Sequence, residues 1–186
     1  MSSQKRHTGK LAATAIAAAS ILSAVAAHAA DVTSPKLVLT AYINGAGGES
    51  ALAGKYDAAL SEIKKDRSAS SDMYTAKITN QCVTYAAMKL IPQAMSACDE
   101  ALRAAKYDRI AALRFSPGSN QQNSYVAIAY TNRAVVHMLA KDVEGAKSDL
   151  ARAKSLAPSA EFVSKNLLAM ETSSSKIAQV NPVPVR

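Results

Sequence analysis

The sequence predicts an all-α fold: antiparallel helix pairs stacked side by side and closed by a capping helix. Two blocks 52 residues apart, residues 80–102 and 132–154, align without a gap. Each block reads as one helical pattern, a short break and a second helical pattern. After Pro158, residues 159–170 carry apolar residues at helical spacing, as expected of a helix that covers the last pair.

The breaks inside the blocks have the chemistry of helix starts. In the first block Pro92 fits the first turn of a helix, where its missing N–H costs nothing. In the second block Asp142 is a good N-cap, because its carboxylate can accept the free N–H groups of the next turn. Each block is therefore predicted to be an antiparallel helix pair.

The second block resembles the tetratricopeptide repeat family, whose 34-residue pattern is W-x2-L-G-x2-Y, then A-x3-F, then P. Arg133 departs from this pattern where a Leu is expected. The first block matches more weakly, and a degenerate unit around residues 54–60 precedes it. The resemblance covers residues 45–170. The matching residues of the second block are Tyr130, Ala134, His137, Ala146, Leu150 and Pro158.

The first 29 residues have the layout of a secretory signal peptide. A positive start precedes an apolar stretch from Leu11 to Ala27, and the small residues Ala27 and Ala29 occupy the −3 and −1 positions of the expected cleavage site. An uncleaved membrane anchor is the alternative, but the stretch is short and rich in Ala, which partitions weakly into lipid. The Ala-rich leader is typical of bacteria. We therefore expect secretion across the inner membrane into the periplasm.

The rest of the chain divides into three segments. Residues 30–44 are expected to be an extended lead-in, since residues 36–43 are rich in β-branched and aromatic types but a lone strand would have no partner. Residues 45–171 form the predicted helical repeat domain. Residues 172–186, with a Ser run and two prolines, are predicted to be a disordered tail.

In the resembled family, the first helix of each unit lines a concave groove, where an Asn often hydrogen-bonds the backbone of an extended peptide. Asn80 and Asn132 fall at this place, so the resemblance implies a peptide-binding groove. The alternative is that each Asn is satisfied within its own helix pair. The residues of the predicted groove are Asn80, Asn132, Thr79, Val83, Thr131, Val135 and Met138.

The resemblance also places Cys82 and Cys98 opposite each other across the first helix pair. In an oxidising compartment this implies a disulfide. The alternative is two buried free thiols acting as small apolar side chains.

Catalytic and metal-binding constellations are not evident in the sequence. His137 is the only histidine after the leader, and one His with two distant Cys does not make a metal site. We expect no cofactor, no metal and no enzyme activity. Removal of the leader, which holds three cations and no acid, lowers the formal net charge from +8 to +5, and the scattered charges do not indicate nucleic-acid binding.

The function implied by the resemblance is non-catalytic binding of a protein or peptide of the cell envelope, as a scaffold or adaptor. Stable membrane insertion is not expected once the leader is cleaved, and homodimerisation is open. Two rival functions remain at this stage. One is binding of envelope glycan or lipopolysaccharide through basic faces. The other is a thiol-based redox protein, which would need a reactive cysteine of low pKa.

Overall fold

The computed structural model describes residues 36–67, 70–115, 121–172 and 180–185. The predicted signal peptide, the first part of the lead-in and residues 173–179 of the predicted tail lie outside these ranges.

Within the described ranges the chain is mostly helical, which confirms the predicted all-α class. These residues also form two short strands, which the sequence did not predict. The elements are β1 (Leu37–Tyr42), α1 (Gly48–Leu52), α2 (Tyr56–Lys65), α3 (Ser71–Ala87), α4 (Ile91–Phe115), α5 (Gln121–Leu139), α6 (Val143–Leu156), α7 (Glu161–Thr172) and β2 (Val180–Val185).

Helices α3 and α4 form one antiparallel pair, and α5 and α6 form the next. The turns inside these pairs are built alike, since Lys89 and Lys141 both adopt a left-handed backbone conformation, with φ of 59° and 63°. In each turn this residue donates its N–H to a carbonyl three residues back, and the next residue donates to a carbonyl five back. This is the Schellman arrangement, which satisfies the last carbonyls of a helix.

The long connection between the two blocks is largely helical. Helix α4 has 25 residues and α5 has 19, so the two helices take up most of residues 109–126. Residues 116–120 between the two helices, whose Pro and Gly are typical of a turn, lie outside the described ranges. In the second half of α4, Ala105 packs with Val126 and Ala129 of α5.

Strands β1 and β2 pair in parallel, with Leu37 opposite Val180 and Tyr42 opposite Val185. The structure therefore differs from the prediction for both ends of the chain. Residues 37–42 of the lead-in form a strand, and residues 180–185 of the predicted disordered tail pair with it. The sequence did not show this because the strands lie about 140 residues apart and neither has a hairpin signal.

The largest core cluster has β1 within it. Leu37, Leu39 and Ala41 pack with residues of α3, α4, α5 and α7. The buried members from the helices are Cys82, Val83, Ala86, Ala94, Ala97, Cys98, Val135, Val136 and Ala169. Strand β1 is thus a structural part of the helical domain and not an appendage to it.

Candidate functional site

Three asparagine side chains hold β1 by its backbone. Asn166 of α7 accepts from the N–H of Val38 at 2.7 Å and donates to its carbonyl at 2.7 Å. Asn132 of α5 makes the same two bonds to Thr40, both at 2.8 Å. We name Asn80, Asn132 and Asn166 the asparagine ladder.

The third asparagine, Asn80, makes the same pair of bonds and one bond more. Asn80 of α3 accepts from the N–H of Tyr42 at 2.7 Å and donates to its carbonyl at 2.9 Å. The same amide nitrogen lies 3.1 Å from the carbonyl oxygen of Ala46, so it also holds the chain beyond the strand.

The ladder acts on β1 as a neighbouring strand would. Successive rungs bind residues two apart, and in a strand these residues point their N–H and C=O groups to the same edge. An amide side chain offers one acceptor and a donor, which matches the one N–H and one C=O of each residue. The N–H and C=O groups on one edge of β1 are therefore all bonded to amide side chains where a neighbouring strand would bind them, and the carbonyl of Tyr42 also accepts from the N–H of Gly45 at 3.1 Å.

Sequence reasoning found two of the three rungs and missed Asn166. Asn166 follows Asn132 by 34 residues, the length of one tetratricopeptide unit. That spacing was the available signal, and treating residues 159–170 only as a capping helix concealed it. In the structure α7 contributes to the groove as α3 and α5 do.

The predicted groove residues do lie around an extended segment, but that segment belongs to the chain itself. Val83 and Val135 are buried in the cluster that includes β1, and Met138 packs against it. Thr79 and Thr131 are buried, and the Thr131 hydroxyl donates to the carbonyl of Ala127 in its own helix. The asparagines are thus satisfied neither within their own pairs nor by a separate peptide.

Two glycines allow the chain to turn closely after β1. A Cβ at Gly48 would overlap the carbonyl oxygen of Tyr42, and a Cβ at Gly45 would lie 2.8 Å from that of Ala76. The close approach of neighbouring atoms therefore requires glycine at both positions. It lets the backbone pass beside Asn80.

The second edge of β1 is the one that pairs with β2. The backbone N–H and C=O groups of residues 38, 40 and 42 point to the ladder. Those of Leu37, Leu39 and Ala41 therefore point to the opposite edge of the strand. On β2, Pro182 and Pro184 stand opposite Leu39 and Ala41. In a parallel pair with this pattern, the residues of β2 that hydrogen-bond to β1 are those on either side of each proline. Neither proline is therefore required to donate an N–H group.

The prolines also shape the outer side of the sheet. At their register positions a backbone N–H would point away from β1, and proline has none. A strand edge without these donors is a poor template for further pairing. β1 thus lies between the asparagine ladder on one edge and β2 on the other.

The cysteines form a disulfide, as the resemblance implied. Cys82 of α3 and Cys98 of α4 are bonded, with their Cα atoms 4.8 Å apart. Both are buried beside β1 in the main core cluster. Their role in the described structure is to fix the α3–α4 pair that carries Asn80.

Arg133, which departs from the family pattern, joins three helices. It makes two bonds to Asp149 of α6, at 2.7 and 2.8 Å, and one to Asp99 of α4 at 2.7 Å. Hydrogen bonds from Arg133 to these carboxylates raise its pKa, chiefly through Asp149, so it stays charged. His137 lies 2.7 Å from the carboxylate of Asp142. Arg133 thus links α5 to its partner α6 and to α4 of the preceding pair.

In the described part of the chain, three or more His, Cys, Asp or Glu side chains do not converge as a metal ion would require. No helix of the described residues combines the length and apolarity needed to cross a bilayer. No protein-family profile matches the chain, and neither a curated protein nor a solved structure is similar enough to match it.

Proposed function

We propose that this chain is an exported, non-catalytic binding protein of the cell envelope, and that its ligand is an extended polypeptide segment. The observation that supports this is the asymmetry of β1. One edge is fixed by the asparagine ladder, and the other edge pairs with a strand supplied from a distant part of the sequence. The ligand would add to that second edge, in the place that β2 occupies.

Strand addition of this kind derives affinity from backbone hydrogen bonds and specificity from side-chain pockets. The backbone groups of Leu37, Leu39 and Ala41 form the template. A ligand needs N–H groups only at alternate positions, so it tolerates proline in between, as β2 does at Pro182 and Pro184. The proposed ligand is therefore an extended segment that pairs in parallel with β1. It carries apolar residues at alternate positions and accepts proline at the positions between them.

Space for ligand side chains exists beside β1. A cavity of about 430 Å³ lies between β1, β2, α5 and α7, and Val38, Thr40 and Ile128 contribute to its lining together with Val183. The Oγ1 atom of Thr40 is buried and has no hydrogen-bond partner among the described residues. A ligand with a polar group beside an apolar side chain would complement this wall.

In this proposal β2, as part of the same chain, competes with the ligand for the same edge of β1. A segment tethered to its own site has an effective concentration in the millimolar range for short flexible connections. A partner must therefore bind better than β2, or engage further surface, to displace it. The buried disulfide and the predicted leader both favour an oxidising compartment.

The test uses a variant in which residues 180–185 are replaced by alternating Gly and Ser. A peptide of residues 179–186 is titrated against the variant and the native chain, with calorimetry for affinity and NMR for the amides of Leu39 and Ala41. We expect binding to the variant, with shifts at both amides, and at least roughly tenfold weaker apparent binding to the native chain.

The matched control is a peptide of the same composition with each proline moved by one position. This removes the N–H groups that face β1, so it should bind much more weakly than the native sequence. Equal binding of the two peptides, or no change at Leu39 and Ala41, would contradict strand addition.

The partner is then sought in cells with a photoreactive residue at Ser124, which lines the cavity beside β1. Capture of an envelope protein that the 179–186 peptide competes away supports the proposal, and capture of a second copy indicates homodimerisation by tail exchange. Crosslinks confined to β2 of the same chain would argue against a partner. Envelope binding that falls steeply with salt and ignores the peptide would favour the glycan or lipopolysaccharide alternative.

A further inference from the structure

A second cavity lies where β1 ends. It has a volume of about 490 Å³, within the range of small-ligand pockets. Its walls come from the end of β1, the first turns of α3, the far part of α4 and the start of α5. The residues that matter for its chemistry are Tyr42, Asp72, Thr75, Asp108, Gln122 and Tyr125.

The cavity is acidic although the protein is basic overall. Asp72 and Asp108 contribute to the wall, and the described lining includes no Lys, Arg or His. The Thr75 hydroxyl donates to Asp108 at 2.6 Å, which fixes the carboxylate and leaves its other oxygen for a further donor. A hydrogen bond from the Ser70 side chain lowers the pKa of Asp72, so it is ionised at neutral pH.

Two aromatic side chains also line the cavity. The rings of Tyr42 and Tyr125 meet edge to face, with centroids 5.7 Å apart. Burial, reinforced by the nearby Tyr125 and Asp108, raises the pKa of Tyr42, so the phenol stays neutral. Aromatic faces attract ammonium and guanidinium groups.

An unsatisfied acceptor strengthens this assignment. The Oε1 atom of Gln122 is buried and has no hydrogen-bond partner among the described residues, and Gln122 lines the cavity. A buried acceptor without a donor is costly. A guanidinium carries five N–H donors and no acceptor, and an ammonium carries three, so either would satisfy it.

We infer that this cavity binds the cationic side chain of a polypeptide, a guanidinium or an alkylammonium, with Asp108 and Asp72 as counter-ions and Gln122 as a neutral acceptor. The source of the cation rests on the proposed function. Val185 of β2 is paired with Tyr42, whose side chain lines the cavity, so a strand bound in the place of β2 extends to the cavity wall. In this chain the next residue in sequence is Arg186.

The test uses the full chain carrying Arg186→Ala, which removes the internal candidate. N-acetylargininamide is titrated against it and compared with N-acetylcitrullinamide, which has nearly the same shape but no charge. We expect the arginine probe to shift the ring resonances of Tyr42 and Tyr125 and to bind at least roughly tenfold more tightly than the citrulline probe.

Two further variants separate charge from shape. Asp108→Asn keeps an acceptor for Thr75 and should weaken the arginine probe about tenfold, with little effect on the citrulline probe. Asp57→Asn, an exposed residue on α2, is the matched control and should leave both unchanged. Equal binding of the two probes, or resonances of Tyr42 and Tyr125 that do not move, would overturn the inference.

The outcome is independent of the peptide experiment on the strand edge. Failure of the 179–186 peptide with retained preference for arginine would refute strand addition and keep the cation site. Successful peptide binding without an arginine preference would refute the cation site alone.

Discussion

Replacement of Asn132 by Ala is the most informative single perturbation of the groove. The side chain is fully buried, and its two bonds to Thr40 are both 2.8 Å long. The variant leaves the N–H and C=O of Thr40 buried without a partner. An unsatisfied buried group costs about 1–3 kcal/mol, and a water that enters the vacated space would recover part of it. We expect a loss of about 3 kcal/mol in the free energy of unfolding.

The assay is urea unfolding followed by circular dichroism, with the disulfide intact. The control is Thr131→Val, on the adjacent residue of the same helix. Thr131 is also buried, but its hydroxyl bonds only the carbonyl of Ala127 one turn away. We expect this control to change stability by less than about 1 kcal/mol. If Asn132→Ala unfolds within about 1 kcal/mol of the native chain, the ladder does not hold β1 as described.

Three other perturbations test separate parts of the fold. Reduction of the Cys82–Cys98 disulfide, which spans 16 residues, should cost about 3 kcal/mol, and an unchanged urea midpoint in reductant would contradict this. Lys141→Gly should stabilise by about 0.5–1 kcal/mol, because Lys141 adopts a left-handed conformation that glycine tolerates; the exposed Lys147→Gly should destabilise instead. The hydrogen bond from the N–H of Gly145 and, to a lesser extent, the one from His137 lower the pKa of Asp142. The Asp142 carboxylate therefore contributes to the free energy of unfolding above the pKa of an unfolded Asp, and this contribution is lost as the pH falls through the pKa in the folded state. Asp142→Asn should reduce the drop in urea midpoint between pH 5 and pH 3, and an identical drop would exclude this cap as a source of acid sensitivity.

The helical part of the fold could be predicted because its signals are local. The helical spacing of apolar residues in each block and the cap at Asp142 both act within one or two turns. The facing cysteines followed from the resemblance, and the structure confirms their bond. The helix boundaries near residues 109–126 were less accessible, since a turn signal does not show how far the flanking helices continue.

The identity of the segment that lies in the groove could not be predicted in the same way. Asn80 and Asn132 could be placed on the groove wall, but the chemistry of an amide does not reveal whose backbone it binds. The residues of β1 read as extended, and those of β2 read as a proline-containing tail, because each acquires its structure only from the other and from the ladder. Pairing between segments so far apart leaves no periodic trace in either one.

Hydrogen exchange of the β1 amides tests the central claim most directly. In the native chain the N–H groups of Val38, Thr40 and Tyr42 are held by the ladder, whereas those of Leu39 and Ala41 face β2. We predict that the first three exchange only with global unfolding, and that the other two exchange faster, through release of β2. Exchange of all five at one rate would contradict a fixed β1 with a replaceable partner strand.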